Sequence, residues 1–152
     1  MGFIRGAARV ISWIGLTGVG GLHLCWSAGS SWPAKNRARL ASATVGNARA
    51  MPAPGPTAVV GAAALVGGAV TAGALGESRL IVCGRRLIGL ALLARAMLGG
   101  EVALRALGMG APDPRFRRLD ARAYRPLCAV LGAAVLLGSR RTSSRRTRSV
   151  TA

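Results

Sequence analysis

The chain has 152 residues, room for one domain, and 51% of them are hydrophobic. Its net charge of +17 would suit a nucleic-acid partner if the basic residues formed one continuous surface. They stand instead in clusters separated by apolar segments, so we expect no nucleic-acid partner. A mean hydropathy of +0.41 together with 22 glycines is typical of membrane helices.

Two charge-free segments are the strongest signals in the chain. Residues 10–34 and 50–76 contain no charged side chain over 25 and 27 positions. Each can cross about 30 Å of hydrocarbon as an α-helix, which rises ~1.5 Å per residue. Because a bilayer forces backbone groups to pair within each segment, the sequence predicts an all-α, polytopic transmembrane bundle. We expect it in the cell membrane, with the lipid bilayer around it.

The charge distribution fits about four spans. We place them at residues 10–31, 56–76, 87–107 and 124–139. The third span starts at 87 because an earlier start would bury Arg85 and Arg86. The fourth is charge-free for only 14 residues, so it must either include Arg125, whose long side chain would then reach the interface, or thin the bilayer around it. A re-entrant or interfacial segment is the alternative for this last span.

These spans form one domain, residues 1–138, and residues 139–152 follow as a basic tail. The tail has no apolar period, which predicts disorder. With four spans the basic residues divide evenly between the two sides, so their count does not decide the orientation. We expect both termini inside the cell, since five arginines closely follow the last span. There they would attract anionic lipid headgroups.

Small residues recur every four positions in the first two spans. The strips are Thr17, Gly21, Cys25 and Gly29 in the first span and Ala64, Gly68, Ala72 and Gly76 in the second. Such strips let a neighbouring backbone approach closely, so we expect them to face other helices. A chain this rich in Ala and Gly also produces the spacing by chance.

Two motifs carry a resemblance to a known family. HxxWxxGxxWP starts at His23 and closes the first span, and RFRRLDxRxYxPLC starts at Arg115 and leads into the last span. In combination they resemble a family of small, four-span bacterial membrane proteins catalogued as a domain of unknown function. The resemblance extends to about residue 138. It implies an integral membrane protein with four helices and no established activity.

The first motif places His23 and Trp26 on one helix face, near the headgroup level that indoles prefer. His23 is the only histidine in the chain, so a bis-histidine haem site or a three-ligand zinc site is not expected. We therefore assign no metal and no cofactor. We expect the imidazole to hydrogen-bond a polar group of the third helix, with ligand binding or proton transfer as alternatives.

The second motif predicts a short interfacial helix before the last span. Asp113 suits its N-cap and Pro114 its first position. Its arginines, Arg118 among them, would meet lipid phosphates, and Asp120 would pair with one of them or with the start of the final span. Tyr124 belongs to the same candidate set. The alternative is a substrate-binding loop.

Two ionisable residues fall inside the expected third span. Glu101 precedes Arg105 by four positions, the favourable order for an ion pair within a helix. Arg95 is expected to turn inward, toward Glu101, a backbone carbonyl or a hydrated cavity shared with His23. Such residues mark either a functional pathway or a structural pair.

Nucleophile, histidine and acid do not group into a recognisable catalytic system, so we assign no catalytic residue. The interpretation that fits best is a structural or partner-binding membrane component, with another membrane protein or a second copy of the chain as a further partner. A transporter or ion-conducting subunit that uses His23, Arg95 and Glu101 is the alternative. A membrane enzyme is the third hypothesis. The neighbours of Arg95 in the folded bundle would best separate these classes.

Overall fold

The structure is a computed structural model that describes residues 2–139. Its elements are α1 (Gly2–Ser27), α2 (Arg37–Thr44), α3 (Pro54–Ala72), α4 (Arg79–Leu98), α5 (Gly100–Ala106), α6 (Pro114–Leu119), a π-helical turn (Asp120–Tyr124) and α7 (Arg125–Gly138). The predicted all-helical bundle is confirmed for this part of the chain. From residue 140 onward, the tail expected to be disordered lies outside the described residues.

Three helices are long and apolar enough to cross a membrane, namely α1, α3 and the continuous helix Pro114–Gly138. The pair α4 and α5 also qualifies, but it is bent by 102°, so the count rises to four if this pair is one broken span. The expected third span is therefore not straight. It breaks at Gly99, whose φ of +79° lies in the region that favours glycine and ends α4.

The short helix that opens with Pro114 is continuous with the last helix instead of standing apart from it. Asp113 caps it as predicted, since its Oδ1 accepts a hydrogen bond from the Phe116 amide at 2.9 Å. Pro126 has no N–H and cannot continue the regular bond pattern. The Arg125 amide instead donates to the Asp120 carbonyl five residues back, and the helix widens into the π-helical turn.

The helix α1 packs on α3 and on α7, and α4 packs mainly on α7. The closest crossing of α1 and α3 is at Gly20 and Gly61, where a Cβ added to Gly20 would lie 2.9 Å from the Gly61 carbonyl oxygen. The strip expected on α1 is thus largely displaced by one position: a Cβ on Gly21 or Gly29 would meet nothing within 4 Å.

One pair from the expected strips does meet, because a Cβ on Gly68 would lie 3.1 Å from Thr17 Oγ1. Gly76 lies in the loop after α3 and faces open space. The second close crossing joins α4 to α7, where a Cβ on Gly132 would lie 2.9 Å from the Gly89 carbonyl oxygen. Sequence analysis did not single out this crossing.

The bundle has two polar ends, each named here by an acidic residue. The Glu77 end combines the start of α1, the loop 73–78 and the end of α7, as the contacts of Arg9 with Glu77 and Gly138 indicate. The Asp113 end combines α2, α5 and α6. Ser42 Oγ donates to Asp113 Oδ2 there at 2.6 Å.

Candidate functional site

The Asp113 end contains an ion pair that joins α4 to the π-helical turn. The Nη2 atom of Arg95 lies 2.6 Å from Oδ1 of Asp120, whose side chain is 9% exposed. The second carboxylate oxygen of Asp120 accepts the Gly100 amide at 2.8 Å. Asp120 therefore binds the first amide of α5, just after the break at Gly99. Neither partner expected for Asp120 is the observed one.

The other side of the break is bound by Arg125. Its Nε donates to the Ala96 carbonyl at 2.7 Å and its Nη2 to the Met97 carbonyl at 2.9 Å. These are among the last carbonyls of α4, which have no partner within the helix and favour a cation nearby. Arg125 thus caps α4, and its expected extension toward the interface stays a prediction.

Arg95 turns inward as predicted, but its partner is Asp120 and not one of the three groups expected. Its Nη1 atom is buried without a hydrogen-bond partner among the described residues. The space beside it is tight, since a Cβ on Gly100 would lie 2.6 Å from Arg95 Nη2 and 2.5 Å from Phe116 Cζ. Only glycine fits at that position without a shift of both neighbours.

The remaining candidates of the second motif and of the third span lie around this junction. The Tyr124 hydroxyl donates to the Ala43 carbonyl at 3.0 Å, which ties α2 to the π-helical turn. Glu101 pairs with Arg105 at 2.6 Å within α5, as predicted. Arg118 is exposed, and its Nε donates to the Pro114 carbonyl one turn back at 3.3 Å.

A pocket of about 450 Å³ opens at the same end, between the end of α1, the start of α3 and the helix α5. Most of its wall is apolar, with Met51, Leu104 and Leu107 among its residues. Thr44 and Thr57 also line it, but each hydroxyl donates to a backbone carbonyl of its own helical turn at 2.9 Å.

His23 lines this pocket, and its ring is held from two sides. Its Nδ1 lies 2.8 Å from the Val19 carbonyl oxygen, and its ring centroid lies 4.9 Å from that of Trp26. A carbonyl oxygen only accepts, so Nδ1 carries the proton and Nε2 is the remaining nitrogen. The predicted hydrogen bond to the third helix is wrong, because the partner belongs to α1. Trp26 Nε1 in turn donates to the Trp32 carbonyl at 2.6 Å.

The Glu77 end contains a second cluster, which sequence analysis missed. Arg85 is fully buried, and it donates from Nε to the Val70 carbonyl at 2.6 Å and from Nη2 to the Gly76 carbonyl at 2.6 Å. Its Nη1 lies 3.0 Å from Glu77 Oε1. A buried guanidinium is tolerated here because each of its three nitrogens has a partner.

Arg9 binds the same carboxylate from α1 and also reaches α7, with Nε donating to the Gly138 carbonyl at 3.1 Å. Burial alone would raise the pKa of Glu77, but the hydrogen bonds from Arg9 and Arg85 outweigh it and hold the pKa below 4.5. The scarcity of acidic residues in the sequence could have pointed to this cluster. The chain has only four acidic residues against 21 basic ones, so each acid is a strong candidate for an ion pair.

The chemistry that these groups can perform follows from their partners. The structure brings Arg95 and Asp120 together but does not join His23 or Glu101 to them by any hydrogen bond within residues 2–139. In that same range no three His, Cys, Asp or Glu side chains group as a metal site. Cys25, Cys83 and Cys128 are free thiols. Within each cluster, the charged side chains bind helix ends and each other.

The chain belongs to the family described as "Protein of unknown function (DUF3995)", whose model matches residues 16–135. The matched segment includes His23, the pocket and the Arg95–Asp120 junction. No curated protein and no solved structure matches the chain.

Proposed function

We propose that this DUF3995 member is a multi-pass structural component of the cell membrane whose basic outer surface binds anionic lipid headgroups. The observation that carries the proposal is the placement of charge. Within the bundle, Arg85, Arg125 and Asp120 bind helix ends, where they hold the helices in place. Arg118 and Arg122 lie on the surface of the bundle, where neither pairs with a carboxylate of residues 2–139.

The outer surface of the bundle supports a membrane location. In the most apolar 18-residue stretch of α1, of α3 and of the helix Pro114–Gly138, only 17%, 28% and 28% of the residues are buried. Large apolar side chains such as Val59, Leu90 and Val130 are more than half exposed. Apolar surface of this extent is unfavourable in water, whereas lipid chains would cover it. Another membrane protein or a second copy of the chain would bind along the same sides.

The charge on α6 and the π-helical turn supports the lipid partner. Arg118 and Arg122 are four positions apart and both exposed. Neither forms an ion pair with a carboxylate of residues 2–139. An arginine at a membrane surface contributes about 1 kcal/mol of attraction to anionic headgroups. We propose that these two side chains bind lipid phosphates at the Asp113 end.

Native mass spectrometry of the purified chain tests this proposal, with phosphatidylglycerol and phosphatidylcholine added in equal amounts. We expect the wild type to retain phosphatidylglycerol preferentially. The double variant Arg118→Gln/Arg122→Gln should lose this preference by on the order of tenfold. The matched control, Arg118→Lys/Arg122→Lys, keeps the charges and should keep most of the preference. An unchanged preference in the glutamine variant would refute the proposed lipid site.

Transport or ion conduction is the second candidate, and the broken helix at Gly99 is the observation that favours it. Broken helices line the binding sites of many transporters. At this break, however, Asp120 and Arg125 already occupy the exposed helix ends, which favours the structural role. Proton flux into proteoliposomes separates the two. The structural role predicts a rate equal to that of protein-free vesicles, and a flux that Arg95→Gln abolishes would support conduction.

A further inference from the structure

We propose that the pocket beside His23 is a binding site for a neutral, lipid-soluble molecule that carries one hydroxyl group. This site is separate from the proposed lipid-headgroup surface, and neither depends on the other. Its volume of about 450 Å³ lies within the range of small-molecule sites.

The absence of charge in the wall indicates a neutral ligand. None of the thirteen residues that line the pocket is Asp, Glu, Lys or Arg. An ion would lose its hydration there and gain no countercharge, which is costly. Because the wall is mostly aliphatic, with two methionines that adapt to irregular shapes, the body of the ligand should be apolar.

The position of one hydrogen-bond acceptor indicates the hydroxyl group. The hydroxyls of Thr44 and Thr57 already donate to Leu40 and Ala53. His23 Nδ1 is bound to the Val19 carbonyl, so neutral His23 has Nε2 as its acceptor, without a hydrogen bond to another described residue. A ligand O–H would donate to it, whereas a ligand carbonyl could not be bound by neutral His23.

The imidazole is also fixed in orientation before any ligand binds. The Val19 carbonyl and the Trp26 ring hold it from two sides, and the Trp26 indole is anchored on the Trp32 carbonyl. A polar group held in this way loses little freedom on binding, which favours affinity and selectivity. Trp26 and Trp32 are also suited to the headgroup level, where a lipid-soluble alcohol concentrates with its hydroxyl near water.

The single histidine makes a direct test available. With ¹⁵N-labelled histidine, the NMR spectrum of the chain in detergent micelles contains the signals of one imidazole. The Nδ1 and Nε2 resonances therefore belong to His23 without any residue assignment. The probe is 1-naphthol, and naphthalene is its matched control without the hydroxyl. We expect a saturable shift of the Nε2 resonance with 1-naphthol and none with naphthalene. Equal responses to the two probes would overturn the proposal.

Two valine variants locate the probe. Val60 lines the pocket and is 49% exposed, so phenylalanine there should reduce the open volume without disturbing the core. Val59 is 68% exposed and is not a pocket residue. We expect Val60→Phe to weaken the 1-naphthol response at least about tenfold and Val59→Phe to leave it unchanged. A response that survives Val60→Phe would place the probe in the micelle and refute the site. If Val60→Phe does not fold, the comparison of 1-naphthol with naphthalene on the wild type still tests the proposed site.

Discussion

Asp120 binds Arg95 with one carboxylate oxygen, at 2.6 Å, and the Gly100 amide with the other, at 2.8 Å. The pair thus connects three parts of the chain, namely α4, the first residue of α5 and the π-helical turn. It sits where α4 and α5 bend by 102°. The bend at Gly99 is therefore held by a specific ion pair.

Asp120→Asn should destabilise the bundle more than loss of a surface ion pair. The change removes the countercharge of Arg95, whose Nη1 already lacks a partner. We expect a loss of about 1.5–3 kcal/mol, measured by reversible unfolding in mixed micelles. The control is Glu101→Gln, because the Glu101–Arg105 pair is more exposed and worth about 0.2–1 kcal/mol. Equal losses in the two variants would contradict the assigned role of Asp120.

Gly132→Ala and Gly84→Ala should have opposite effects. A Cβ on Gly132 would lie 2.9 Å from the Gly89 carbonyl oxygen, so α4 and α7 would have to move apart, and the unfolding midpoint should fall. A Cβ on Gly84 meets nothing within 4 Å, so alanine should stabilise α4 by about 0.5–1 kcal/mol through its helix propensity. A midpoint that rises in both variants would refute the close crossing.

The stability of the Glu77 end should depend on pH. Two arginines hold the pKa of Glu77 below its ordinary value. A carboxyl with a lowered folded-state pKa contributes stability that is complete above the unfolded pKa and is lost as pH falls through the folded value. We therefore expect the thermal midpoint to fall with acid below about pH 4.5 and to fall less steeply in Glu77→Gln. A Glu77→Gln variant with the wild-type pH profile would contradict this role.

Tyr124→Phe should loosen α2 without unfolding the bundle. It removes the hydrogen bond from the Tyr124 hydroxyl to the Ala43 carbonyl. We expect a loss of about 0.5–1.5 kcal/mol and faster hydrogen exchange at the amides of α2, read by mass spectrometry. Exchange in α1 should not change. A uniform increase over all helices would indicate a global effect and not a local tie.

Local sequence signals predicted the features whose cause is local. Charge-free runs identified α1 and α3, the Asp113-Pro114 pair identified the start of α6, and the spacing of Glu101 and Arg105 identified their ion pair. In each case the partners lie within one helix or one turn, so spacing along the chain determines whether they meet.

Contacts between distant segments could not be read in this way. Nothing in the sequence distinguishes Gly20 from Gly21, since only the rotation of α1 against α3 decides which one faces the neighbour. Arg85 was expected outside a span because burial of its charge is costly. The Val70 and Gly76 carbonyls and the Glu77 carboxylate offset that cost, but they become neighbours of Arg85 only after folding.

We propose that α4 crosses the membrane together with the three apolar helices, which would place the Glu77 end and the Asp113 end on opposite sides. Single cysteines at Ala38, Leu75 and Ala111, in a chain without its native cysteines, test it with a membrane-impermeant maleimide on intact cells. All three positions are exposed. With both termini inside, we predict labelling at Ala38→Cys and Ala111→Cys and protection at Leu75→Cys. Ala111→Cys protected together with Leu75→Cys would mean that α4 does not cross, and equal labelling at all three positions would contradict the membrane-spanning bundle itself.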